Sequence, residues 1–252
     1  LWPPLWDGLM WGQVNPIVLA LVAGSAACVL RAQFFVAGSL LAAATALKAS
    51  PAVLILPFLL TLHTRESRRA LLGFFLMTLI CAGLSTLSPR GTLVFLDFAG
   101  ALESFSRAPL SIDPYYDYGI QKIVDLPAAK AIALGIVTIY ALALIRLNRY
   151  EAPSPERRLC LGVCAGIPVM ILAAPCVWFH HLLWLTLPLQ VAFLAWGMDP
   201  ALRRLRPAVA TLLAVSLGLS LYAHVIVRHH LAMGESYIKM AVPGLIFLVF
   251  LS

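Results

Sequence analysis

The chain has 252 residues, 62% of them hydrophobic and 12% charged, whereas a soluble domain is nearer half apolar and a quarter charged. One buried core cannot absorb that excess, so lipid must cover much of the surface. The net charge of +7 would suggest nucleic acid in a soluble protein, but here it sorts by topology, and no nucleic-acid partner is expected.

The apolar residues form continuous blocks. A β-barrel needs alternation, so the pattern predicts an all-α, polytopic transmembrane bundle, each helix satisfying its own backbone. A spanning helix needs about 20 apolar residues. In chain order the candidate segments are 14–30, 33–47, 51–62, 70–87, 128–147, 159–174, 182–197, 208–227 and 239–252. They amount to about eight or nine membrane helices in a single domain over 1–252. The second and third are short and are separated by Lys48-Ala49-Ser50-Pro51. Proline disfavours helix at the residue before it, so a break is expected near Ser50, making two squat helices or one re-entrant pair. Such interrupted helices line cavities, because freed backbone groups need polar partners. The opening Leu1-Trp2-Pro3-Pro4 lacks the basic start of a signal peptide. It and the apolar run at 242–251 both read as cut ends, so the chain is expected to be a fragment.

An alternating topology places Arg31 and the loops 63–69, 146–158 and 198–206 on one side. That side holds eleven cations against four acids, a surplus of seven, and the other side is neutral. The positive-inside rule makes the arginine-rich face cytoplasmic. The opposite face then carries the stretch up to Asn15, the Lys48 break, an 88–127 loop long enough to be a cap or lid, and five of the six histidines.

Several groups on that face could carry chemistry. In Gly12-Gln13-Val14-Asn15-Pro16, the Gln13 and Asn15 amides offer paired donors and acceptors suited to sugar hydroxyls or phosphate oxygens. Alternatively, Asn15 is simply an N-cap before Pro16. Lys48 lies between two apolar runs near membrane depth, where an ammonium is costly and implies an anionic partner, unless its stem snorkels to the interface. His180 and His181 follow Trp178-Phe179 at an interface. Adjacent histidines diverge on a helix, so one could donate to a phosphate but the pair does not suit a shared metal. Arg228-His229-His230 reads as a solvated turn. Tyr115-Tyr116-Asp117-Tyr118 reads as headgroup-level aromatics that could also stack on a sugar. The loop carboxylates Asp97, Glu103, Asp113, Asp117 and Asp125 form no spaced pair. Cys28, Cys81, Cys160, Cys164 and Cys176 show no metal or disulfide spacing and read as packing residues.

Together these blocks resemble the family 87 glycosyltransferases of the GT-C superfamily, which include polyprenol-phosphate-mannose-dependent α-mannosyltransferases. The carrying residues are Trp2-Pro3-Pro4, Gly12-Gln13-Val14-Asn15-Pro16, Ala37-Gly38, Ala46-Leu47-Lys48 with Pro51, and Pro175 through Trp178 with His180-His181-Leu182. Ala174 and Val177 stand where the family pattern has serines, Phe179 where it often has Asp, and its Asn-Gln-Ser element is reduced to Gln121. The resemblance implies a hexosyltransferase in a bacterial plasma membrane. Its donor would be a polyprenyl-phosphate sugar, mannose by the resemblance, and its acceptor a glycolipid or glycan hydroxyl at the extracytoplasmic face. Lys48, His180, His181, Gln13 and Asn15 would hold the donor phosphate, with no metal and no cofactor. The catalytic carboxylate of such enzymes belongs to a first outer loop, here expected before Leu1. Two readings compete with it: a transporter or lipid flippase, which broken helices also suit, and a non-catalytic membrane scaffold.

Overall fold

A computed structural model describes residues 14–87, 126–149, 154–173, 184–185 and 187–188. Every regular element among them is helical. Helix α1 (Asn15–Leu30) carries no charged residue and is apolar almost all round, as suits an element set between protein and lipid. It ends in a Schellman turn. The Gln33 N–H donates to the Cys28 carbonyl at 2.8 Å and the Ala32 N–H to that of Val29 at 3.0 Å. Ala32 occupies the left-handed position of this turn, with φ 56°. The turn exposes Arg31 and sends the chain back along α1 as helix α2 (Phe34–Leu47). Ser25 Oγ donates to the Ala37 carbonyl across this antiparallel pair at 2.8 Å.

The expected break is present, and it falls at Lys48, two residues before Ser50. Lys48 is extended (φ −156°, ψ 126°). Continuing the helix would require the Pro51 nitrogen to serve the Leu47 carbonyl four residues back. Proline has no N–H, and its ring clashes with that carbonyl, so Leu47 is the last helical residue. The chain then descends as a 3-10 helix (Ser50–Ile55) continued by the short helix α3 (Leu56–Leu60). The segments expected at 33–47 and 51–62 therefore form one hairpin with its tip at Lys48-Ala49-Ser50.

A tight turn follows, in which Thr61 Oγ1 and Ser67 Oγ share a 2.6 Å hydrogen bond. Arg68 binds the carbonyls of Leu62 (Nε, 3.1 Å) and His63 (Nη2, 2.8 Å). Thr64 caps helix α4 (Arg65–Thr86) by accepting from the Ser67 N–H at 3.2 Å. α4 crosses α2 almost backbone to backbone: a Cβ on Gly38 would collide with the Ala70 carbonyl, and one on Gly73 with that of Phe35. Ser39 Oγ bridges the crossing to the Gly73 carbonyl at 3.3 Å. Membrane helices pack this way because close van der Waals approach replaces the hydrophobic drive that lipid removes.

Helix α5 (Leu126–Arg149) runs antiparallel to helix α6 (Pro155–Leu172). Buried Tyr140 donates its hydroxyl to the Gly162 carbonyl at 2.8 Å, and Arg158 Nη1 binds the Asn148 carbonyl at 3.2 Å. Ser154 caps α6. Glu156 in its first turn, on the arginine-rich side, is held below its ordinary carboxylate range, first by its own backbone N–H and then by Ser154. α6 lies along the descending arm of the hairpin, with Gly162 against Pro57 and Gly166 against Leu54. The core thus runs from Val18, Val22 and Val29 of α1 through Leu41 and Leu54 to Val163, Ile167 and Ile171 of α6.

Two helical stretches among the described residues are long and apolar enough to cross a membrane, Arg65–Thr86 and Lys130–Arg149. Both are little buried: Leu72, Leu79, Ile80 and Leu84 of α4, and Leu134 and Leu142 of α5, face outward, the surface that lipid would cover. The segment expected at 70–87 starts earlier, at Arg65, and that at 159–174 starts at Pro155. In both, a capping residue starts the helix a turn before its apolar part. The segments at 208–227 and 239–252, all but four residues of 182–197, and nearly all of the 88–127 loop lie outside the described residues. Cys28, Cys81, Cys160 and Cys164 are free thiols, the last two in the core; Cys176 lies outside the described residues.

Candidate functional site

The hairpin of α1 and α2 fixes one end of the site. With Ser25 and Ala37 in register, the first residue of α1 and the residue after α2 meet at the far end. Lys48 Nζ donates to Asn15 Oδ1 there at 3.0 Å. Asn15 is fully buried, whereas Lys48 keeps partial exposure.

The capping reading of Asn15 fails. The N-cap is Val14, and no side chain caps the helix. Pro16 has no N–H and the helix begins one residue early, so the Asn15 side chain is left free to turn inward to Lys48.

A third residue completes the group. The Lys48 ammonium sits 4.9 Å from the centre of the Trp184 ring, within the roughly 6 Å of a cation–π contact. The Trp184 indole N–H in turn donates to the Asn15 backbone carbonyl at 3.4 Å, and Trp184 is only 2% exposed. Asn15 therefore offers its side-chain oxygen to Lys48 and its main-chain oxygen to Trp184, tying together segments 33 and 169 residues apart.

Two polar atoms here are buried with no hydrogen-bond partner: Asn15 Nδ2 and Ser50 Oγ. Each stranded donor costs about 1–3 kcal/mol, so the cluster forgoes stability where it could bind an oxygen. The amide nitrogen belongs to the same carboxamide that Lys48 holds. An ammonium and an amide N–H2 within a few ångströms suit a negatively charged oxygen group.

Depth follows from helix length. α1 has 16 residues and α2 has 14, about 24 and 21 Å at 1.5 Å per residue, against a hydrocarbon layer about 30 Å thick. With Arg31 at one surface, the Lys48–Asn15 pair would stop short of the opposite one.

Of the residues singled out in the sequence, Lys48 and Asn15 are brought together; Gln13, His180 and His181 lie outside the described residues. Trp184 was not among them. It sits in an apolar run of the sequence. The one available signal is that a buried indole N–H needs an acceptor, which does not say where that acceptor lies. Among the described residues no cluster of His, Cys, Asp or Glu could hold a metal ion.

No curated protein and no solved structure matches the chain. The family model of glycosyltransferase family 87 matches residues 1–226. That match covers most of the chain, including all three residues of the site. The chain belongs to glycosyltransferase family 87, and with its apolar helices it is a membrane glycosyltransferase.

Proposed function

We propose that this protein moves a sugar, mannose by the family resemblance, from a polyprenyl-phosphate donor to the hydroxyl of a glycolipid or glycan. The acceptor lies at the extracytoplasmic face of a bacterial plasma membrane, in a bundle of about eight or nine helices. The observation that carries this reading is the Lys48–Asn15 pair with its unsatisfied amide nitrogen. A partly exposed lysine backed by an amide donor fits the oxygens of a lipid-borne phosphate.

In the reaction the acceptor oxygen bonds to the anomeric carbon as the bond from that carbon to the phosphate oxygen breaks. The acceptor proton passes to a general-base carboxylate, and polyprenyl phosphate leaves with one more negative charge than it carried as a diester. Lys48 and Asn15 Nδ2 are aimed where that charge grows, which is how preorganised donors lower a barrier. His180 or His181 would supply a further donor.

The broken hairpin at Lys48 would also suit a transporter, and one experiment separates the two. The full-length protein in detergent, given a polyprenyl-phosphate mannose and a glycolipid acceptor, should form a new glycosidic product without sealed compartments. Movement of lipid in vesicles with no glycosidic product under any condition would reject the transferase.

Orientation has its own test. In a chain whose native cysteines are replaced, single cysteines in loops 63–69 and 146–158 should resist an impermeant thiol reagent on intact cells, and one in 88–127 should label. Labelling of the arginine loops would place the site on the cytoplasmic side.

A further inference from the structure

We propose that Trp184 is a positioning residue for the transfer reaction: its ring holds the Lys48 ammonium at the mouth of the site, facing the donor phosphate. The inference rests on the reading of Lys48 as the phosphate contact. A lysine ammonium rides on a flexible four-carbon stem and, near a membrane interface, tends to extend toward water. The hydrogen bond to Asn15 Oδ1 holds the ammonium along one direction. The Trp184 face, 4.9 Å from Nζ, adds a non-collinear attraction, and attractions from different directions hold the ammonium in place.

Trp184 is suited to this because it is itself fixed. It is 2% exposed, and its N–H is tied to the backbone of the residue whose side chain receives the ammonium. A shift of Trp184 would move with Asn15, so ammonium, amide and ring form one unit. This unit leaves Asn15 Nδ2 without an acceptor, as expected if the arrangement is set for a ligand oxygen. The ring face also solves a chemical problem: it attracts the cation without competing for the oxygen-binding donors, whereas a carboxylate there would neutralise the charge the phosphate needs.

The test is a double-mutant cycle on the full-length protein in detergent, with polyprenyl-phosphate mannose as donor. Trp184→Leu should lower kcat/KM for the donor roughly 3- to 30-fold, the range of a desolvated cation–π contact, with the acceptor KM unchanged. In a Lys48→Met background the same substitution should add little, because residues acting through one another are non-additive. Trp184→Phe, which keeps a ring face, should recover most of the loss. Should Trp184→Leu fold poorly, trifluorinated tryptophan placed at position 184 keeps shape and N–H while withdrawing electron density from the ring. Donor kcat/KM should then fall at unchanged thermal stability.

Additive losses in the cycle, an acceptor KM that rises as much as the donor's, or no response to fluorination would each overturn the positioning role. If Lys48→Met itself transfers sugar normally, the phosphate-contact reading has failed, and this inference with it. If Lys48→Met is impaired but the cycle is additive, only the role of Trp184 has failed.

Discussion

Replacing Lys48 by Met is expected to lower sugar transfer by roughly 30-fold or more. Losing a charged contact whose partner stays buried costs about 2–5 kcal/mol, and each 1.36 kcal/mol is tenfold in rate. Met keeps an apolar stem of similar length, so the loss tracks the charge. The structure adds a cost that the residue alone does not suggest. Without the ammonium, Asn15 Oδ1 joins Nδ2 as a buried group lacking a partner, at about 1–3 kcal/mol of stability. Rates must therefore be taken per folded protein, quantified by size-exclusion in detergent. Lys48→Arg should also be impaired: a planar fork is a poor substitute for a compact ammonium between an amide oxygen 3.0 Å away and an indole face. Near-normal turnover and donor affinity in Lys48→Met would make Lys48 a snorkelling residue, and the phosphate site would have to be sought around His180 and His181.

The second large effect is structural. Gly38→Ala should destabilise the protein by about 3 kcal/mol or more, at the upper end for one inserted methyl, because the new Cβ meets the Ala70 carbonyl and the α4 backbone near Phe74. Backbone cannot yield as a flexible side chain does, so α2 must part from α4. That displaces Lys48 at the end of α2 as well as weakening the bundle. Gly83→Ala is the control. Nothing lies within 4 Å of its Cβ position, and alanine is favoured over glycine inside a helix by about 1 kcal/mol. Thermal unfolding in detergent should show a large loss for Gly38→Ala and none for Gly83→Ala. Equal behaviour of the two would mean that the close crossing of α2 and α4 is absent from the folded protein.

Gly38 shows where reading a sequence stops. Beside Ala37 it was recognisable as part of a family pattern, but the pattern gives no cause. The cause is a carbonyl 32 positions along the chain, and no local rule brings Ala70 to that place.

The local features were legible because they are one-dimensional. Continuous apolar blocks dictate helices, since lipid offers the backbone no partners. Pro51 dictates that α2 stops, since its missing N–H and its ring both act on Leu47. Lys48 also stood out in the sequence, because a cation between apolar runs is costly wherever the fold places it. Asn15 was half legible: its polarity marked it, but only the structure showed that its side chain meets Lys48 instead of capping the helix. What the sequence could not supply was the partnership. Six tryptophans are present, and only tertiary packing brings Trp184 over the ammonium and against the Asn15 carbonyl. Periodicity and breakers act within a few residues along the chain. A cluster drawn from positions 15, 48 and 184 depends on the register between α1 and α2 and on what packs against it, and those are set by close backbone approach and core packing in three dimensions.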